Sequence, residues 1–186
     1  MRPQTPVFDG VWRANSLVAP INRQLANDMI QRHYLKKWPG VCVMTLGLFC
    51  YGNLRGVIVF SLPPRETFKR YGGLTWELGR LWVSDEVPAN AETYLIGRAV
   101  RYIRQARRDV KALVSYADPS VGHQGTIYKA ANWTADGRTD DDRKTPRFDY
   151  ADATTGKRYS RKSHVPHDSV ITRIPRVSKH RFIYVL

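Results

Sequence analysis

Residues 74–118 read LTWELGRLWVSDEVPANAETYLIGRAVRYIRQARRDVKALVSYAD, and they decide the fold. Trp76, Leu78, Leu81 and Val83 space as the apolar side of a strand. Gly79 breaks the alternation where a bulge or a close backbone approach would sit. Pro88 leads into a helix over about 91–108, with Leu95, Ala99, Tyr102, Ile103 and Ala106 as its apolar stripe. Arg98, Arg101, Arg104, Arg107 and Arg108 make the rest of that helix strongly basic. Lys111 to Ala117 reads as a second strand. A long helix between two strands is a crossover, so the two strands are expected side by side and parallel.

Upstream, residues 1–20 hold three prolines and read as an irregular arm. Asn22 to Trp38 carries helical spacing at Leu25, Met29, Ile30 and Tyr34, and Pro39-Gly40 stops it. Two β-rich runs, 41–51 and 54–62, flank a Gly52-Asn53 turn signal and read as a buried hairpin. Residues 65–73 are polar and loop-like. Downstream, Gly122-His-Gln-Gly125 opens a short helix over 126–132, closed by Trp133. Residues 134–156 are polar, 157–181 carry eight Lys+Arg and one acid, and 182–186 return to a strand pattern. The order predicts a single α/β (α+β) domain, a mixed central sheet flanked by helices, with an arm at 1–20 and a basic C-terminal extension at 138–186.

The chain has 186 residues, 42% of them apolar and 25% charged, enough to bury a core. No apolar run is long enough to span a membrane, and the N-terminus lacks the apolar stretch of a signal peptide. The expected site of action is cytoplasmic. Thirty Lys+Arg against sixteen Asp+Glu give a net charge of +14, which points to a polyanionic partner. Cys42 and Cys50 share one apolar stretch and read as small core residues, too far apart along a strand for a disulfide.

Chemistry concentrates where the second strand ends. Asp118 stands at that strand's C-terminal edge, before a glycine-flanked loop and a new helix, and in open α/β sheets ligands bind at this edge. Asp118 suits a base or a substrate orienter, and equally an Asp-Pro turn cap. Arg80, set among apolar strand residues, either reaches the cleft to pair with Asp118 or grip a substrate, or points outward to solvent. Tyr128, one turn into the short helix, is a candidate acid or a core aromatic. Arg80, Asp118 and Tyr128 are expected to converge in one pocket on one side of the sheet. His33 sits near the end of the first helix, where a lone histidine reads more readily as a surface or capping residue than as a ligand.

The phrases His-Tyr-Leu-Lys-Lys-Trp-Pro (33–39), Glu-Leu-Gly-Arg-Leu-Trp-Val (77–83) and Ser-Tyr-Ala-Asp through Gly-Thr-Ile-Tyr-Lys-Ala-Ala-Asn-Trp (115–133) resemble the Mom family, over roughly residues 20–137. These are bacteriophage DNA-modification proteins of GNAT-like (acyltransferase) fold. The resemblance implies a transferase that installs a carbamoylmethyl (acetamido) group on adenine N6 and so shields phage DNA from restriction in the host bacterial cytoplasm. It carries functional roles onto Arg80, Asp118, Tyr128 and the pair His33-Tyr34, with a metal, iron, as a suggested partner of His33. Phosphates of double-stranded or locally melted DNA are expected on Arg101, Arg104 and Arg108 of the long helix and on Lys157, Arg158, Arg161 and Lys162 of the tail. Trp133, or Tyr34, is expected to stack on a flipped base.

GNAT acetyltransferases hold the acetyl-CoA pyrophosphate on a glycine-rich loop before the long helix. Ser84 to Thr93 has no glycine and three acids, Asp85, Glu86 and Glu92, which would repel a pyrophosphate. Acetyl-CoA is therefore disfavoured, and a glycyl donor such as glycyl-tRNA would supply the atoms of the transferred group. Two other classes compete: a catalytically inactive GNAT-like nucleic-acid-binding protein, and an acyltransferase acting on a small amine.

Overall fold

A computed structural model describes residues 10–33, 35–141, 143–160 and 162–186. Seven strands form the central sheet in the order β1-β2-β3-β4-β5-β10-β6. They are β1 (Ser16–Pro20), β2 (Cys42–Cys50), β3 (Asn53–Ser61), β4 (Leu74–Val83), β5 (Val110–Ala117), β6 (Thr134–Arg138) and β10 (His180–Val185). Three short strands, β7 (Phe148–Asp152), β8 (Arg158–Tyr159) and β9 (Ile171–Pro175), make a second sheet in the order β8-β7-β9. The helices are α1 (Arg23–Ile30), α2 (Arg65–Tyr71), α3 (Ala91–Ala106) and α4 (Thr126–Ala130). The α3 crossover joins β4 to β5, which pair in parallel, as the sequence predicts. None of the described helices is long and apolar enough to cross a membrane.

Two apolar layers cover the sheet. On one face α3 packs Leu95, Ile96, Ala99 and Ile103 against Leu46, Ile58, Phe60, Trp76, Leu78 and Leu113. On the other, Ala26, Met29 and Ile30 of α1 meet Val57 and Val59. Both cysteines stay free thiols on β2, with Cys50 buried. The β2–β3 hairpin turns on Tyr51 (φ 50°) and Gly52 (φ 76°), one residue earlier than expected. Two successive left-handed residues give the tight loop whose twist matches the strands.

Four elements differ from the sequence expectation. The arm contributes β1, which pairs with β2 at the sheet edge, while Trp12 is buried in the α3-side core. The first helix ends at Ile30, eight residues short of Trp38, and the carbonyls of Leu35 and Lys37 are held by a side chain instead. Residues 65–71 form α2, started after Pro64, with Glu66 in its first turn and Gly72 (φ 64°) ending it. In the C-terminal extension the strand pattern at 182–186 does form a strand, β10, but it lies inside the main sheet between β5 and β6, with Phe182 2% exposed. Residues 139–179, holding the second sheet, are thus an insertion between two strands of the main sheet.

The bulge at Gly79 decides which side chains reach the site. Across β3, Phe60 faces Leu78 and Val59 faces Arg80, so Gly79 is the extra residue. Leu78 belongs to the α3-side core, and by simple alternation Arg80 would too. The inserted residue reverses the phase: Leu81 and Val83 now pack toward α3, while Trp82 packs toward α1. Arg80 is thereby turned to the face that Glu77 occupies. A Cβ at Gly79 would lie 2.8 Å from Pro39 Cβ, so the loop before β2 presses on the bulge.

Candidate active site

Pairing of β4 with β5 runs from Leu74–Val110 to Glu77–Val114 and stops. Beyond it the strands part, and a cavity of about 560 Å³ lies in the gap. Its walls come from both faces: Glu77, Arg80 and Trp82 from one, Leu81, Val83 and Tyr128 from the other. Loop 122–125 and the start of α4 close it.

Arg80, Asp118, Tyr128 and His33 all line this cavity. They do not share one face as expected, because Tyr128 belongs to the α3-side core. Nor does Arg80 pair with Asp118. Its guanidinium donates to the carbonyls of Leu35 (3.2 Å) and Lys37 (3.0 Å from Nε, 2.6 Å from Nη2) and to that of Gly79 (2.5 Å). Arg80 thus clamps the loop after α1. Asp118 pairs with Lys179 at 3.1 Å and accepts from the Ser120 N–H (3.0 Å) and hydroxyl (2.5 Å). Burial pushes its pKa upward, but the bonds from Ser120 and Lys179 outweigh that and hold it below the usual aspartate value. Asp118 therefore stays ionised and caps the following turn, so both sequence-level roles are compatible with its position.

Tyr128 is buried. Ser115 Oγ lies 2.8 Å from its hydroxyl and 3.0 Å from the Leu78 carbonyl, so a hydroxyl pair bridges the two strands where they diverge. His33 accepts the Leu35 N–H at Nδ1 (2.8 Å). Burial and the Arg80 charge lower its pKa, so the ring is neutral at pH 7.

Glu77 is the residue that sequence reasoning missed. It faces the cavity from the last paired position of β4, and burial raises its pKa against the opposing pull of Arg80 and Lys179. Of the four carboxylates among the described residues that line the cavity, Glu77 and Asp118 are poised in opposite directions, the arrangement that separates a proton acceptor from a charged orienter. The available signal was an acid two residues before the glycine that breaks the strand alternation.

Other expectations are revised. Trp133 is 3% exposed and packs on Tyr128 and Tyr184, so it cannot stack on a base. Among the described residues, Trp82 and Tyr116 are partly exposed aromatic rings that do line the cavity, with the Arg32 guanidinium 5.5 Å from the Trp82 centroid. Tyr34 and Arg161 lie outside the described residues. Arg101, Arg104 and Arg108 are exposed, but Glu92 at the other end of α3 lines the cavity. At 1.5 Å per residue Arg101 and Arg104 stand roughly 14–18 Å away along the helix, and Arg108 lies beyond its end at Ala106. Lys157, Arg158 and Lys162 are exposed and belong to the insertion, whose root at Lys179 touches the cavity. Arg158 is paired with Asp149 at 3.6 Å, and Lys157 lies over Tyr159. A metal at His33 does not fit: among the described residues no three His, Cys, Asp or Glu side chains cluster, and Nδ1 already accepts a backbone N–H.

Solved structures with the same architecture include a GNAT family acetyltransferase from Elizabethkingia anophelis with acetyl-CoA bound (TM-score 0.55, 11% identity, 92% of this chain and 99% of that one). A Bacillus subtilis acetyltransferase in complex with CoA aligns at TM-score 0.51 and 13% identity, covering 92% and 98%. The ribosomal-protein-S18-alanine N-acetyltransferase of Escherichia coli aligns at 0.53 and 10%, covering 91% and 93%. At these identities the likeness shows the GNAT-like fold. In sequence, the methylcarbamoylase mom of Escherichia phage Mu is 31% identical over 123 residues, 62% of this chain and 51% of that protein. The chain thus spans about half the length of this curated relative. The Mom protein family itself matches residues 15–186. That match runs from β1 through the bulged strand, the cavity loop and the insertion to β10, and the chain belongs to the Mom protein family.

Proposed function

We propose that this chain is a transferase that installs a carbamoylmethyl group on the N6 amine of adenine in DNA, protecting phage DNA from restriction in the host cytoplasm. The family match over residues 15–186, with Glu77, Arg80, Asp118 and Tyr128 lining one cavity of a GNAT-like fold, carries this reading. The name of the phage Mu relative agrees with it. In a duplex the adenine N6 amine faces the major groove but is paired and stacked, so a cavity of this size can enclose it only if the base flips or the DNA melts, at a cost of a few kcal/mol. Glu77 accepts the N6 proton, Asp118 with Lys179 orients the base, and Tyr128 returns a proton to the leaving oxygen. Arg80 positions the His33 loop.

The donor is a glycyl ester such as glycyl-tRNA. Asp85 and Glu92 line the cavity beside the start of α3, and their charge opposes a CoA pyrophosphate there. Atoms balance for glycyl transfer. Attack of N6 on the ester carbonyl forms an N–C bond and releases the carrier hydroxyl. The product is an isomer of N6-carbamoylmethyladenine. Attack of its free amine on C6, with cleavage of the old C6–N6 bond, converts one into the other without an oxidant. The original N6 becomes the carboxamide nitrogen, and the glycine nitrogen becomes the new N6.

The test is mass spectrometry of nucleosides from plasmid DNA after expression with ¹⁵N-glycine. A modified deoxyadenosine whose purine-attached nitrogen carries the label is expected. Unmodified DNA together with tight DNA binding would instead identify a catalytically inactive nucleic-acid-binding protein.

A further inference from the structure

A second cavity, about 470 Å³, lies next to the first. Gln124 lines both, and the consecutive residues Lys179 and His180 line the first and the second respectively. Loop 122–125 is the partition. The second cavity is bounded by Lys129 of α4, Arg138 at the end of β6, and His180 and Arg181 at the start of β10, with Asp141 as the one acid lining it among the described residues.

These cations differ in how they are held. Arg181 is 8% exposed and fixed, its Nε donating to Asp136 (2.7 Å) and its Nη1 to the Arg138 carbonyl (3.2 Å). Asp141 is occupied by the Arg138 N–H at 2.6 Å. The side chains of Lys129 and Arg138 are exposed and have no ion-pair partner among the described residues. Their neighbours behave otherwise: Arg70 pairs with Asp136, Arg147 with Asp140, and Arg176 with Asp149. An ammonium, a guanidinium and a carboxamide thus line one cavity with a single carboxylate among the described residues, Asp141, which the Arg138 N–H already engages. Lys129 and Arg138 supply unpaired positive charge and Gln124 a neutral donor, the chemistry that suits a phosphodiester.

We infer that the second cavity holds a backbone phosphate of the DNA strand whose adenine enters the first, next to the target nucleotide. The inference rests on the DNA reading above and adds where the strand runs: over loop 122–125, from the cavity toward the insertion. It assigns Lys129 and Arg138 a binding role and leaves the arginines of α3 outside the path.

The experiment measures binding of the full chain to single-stranded oligonucleotides containing one adenine, across a salt series. Lys129→Ala combined with Arg138→Ala should lower the log–log salt slope by about 0.7, the value for one phosphate on a single strand. Circular dichroism and the melting temperature should not change, because both side chains are exposed; Lys129→Gln with Arg138→Gln gives the same readout if the alanines perturb folding. Methylphosphonates placed singly along the oligonucleotide should weaken wild-type binding most at one position beside the adenine, and that position should lose its effect in the double variant. Equal sensitivity at every position, or an unchanged slope, would overturn the inference while leaving the DNA reading intact. Absence of DNA binding by the wild-type chain would overturn both.

Discussion

Replacing Arg80 with lysine separates a loop clamp from a group that meets substrate. Lysine keeps the charge, but a single ammonium cannot replace a planar fork that spans the carbonyls of Leu35, Lys37 and Gly79. A hydrogen bond from a charged donor is worth about 1.5–3 kcal/mol when buried. Arg80 is partly exposed, so the bonds to the two loop carbonyls together count for about 2–3 kcal/mol after screening. The opening free energy of segment 31–40 should fall by that amount. Amide exchange there, followed by mass spectrometry, should then accelerate roughly 30- to 150-fold. The global melting temperature should move less, because the sheet and α3 do not depend on this loop. If exchange in 31–40 stays at the wild-type rate while adenine modification is lost, the clamp is refuted and Arg80 acts on the substrate directly.

Glu77→Gln should abolish modification yet raise the melting temperature at neutral pH. Burial lifts this carboxyl's folded pKa above its ordinary value near 4.5, so its ionisation costs stability as pH rises through that window; the difference from wild type should vanish below pH 4, and a lower melting temperature at pH 7 would contradict it. Asp118→Asn should behave oppositely: the depressed pKa contributes stability above the unfolded value and loses it as pH falls through the folded one, so the variant should be less stable at pH 7 and converge with wild type in acid. Gly125→Ala should destabilise by about 2–4 kcal/mol, because the site has φ 75° and a Cβ would overlap the buried Phe182 ring; a melting temperature within a degree of wild type would refute it. Acetyl-CoA should give no thermal shift, whereas a ligand at a hundred times its Kd would add about 2.7 kcal/mol.

The β4–α3–β5 crossover, the hairpin and the short helix at 126 were legible because each carries its own periodicity or stop signal within a dozen residues. Gly79 showed as a break in alternation, and Asp118 as a carboxylate at a strand end, both local facts. Which face each side chain takes was not local. Arg80 faces Glu77 only because one extra residue against β3 reverses the phase of β4, and that register is set by pairing with a strand twenty residues away. Trp133, an apparent exposed aromatic after a helix, is buried because β10 returns from the far end of the chain to place Tyr184 beside it. The same return converts a basic tail into an insertion rooted at the cavity. Charge composition determined that a polyanion is the expected partner. Where the unpaired charge gathers was decided by which acids the fold brings to which arginines. Such pairings join residues remote in sequence, so no local pattern encodes them.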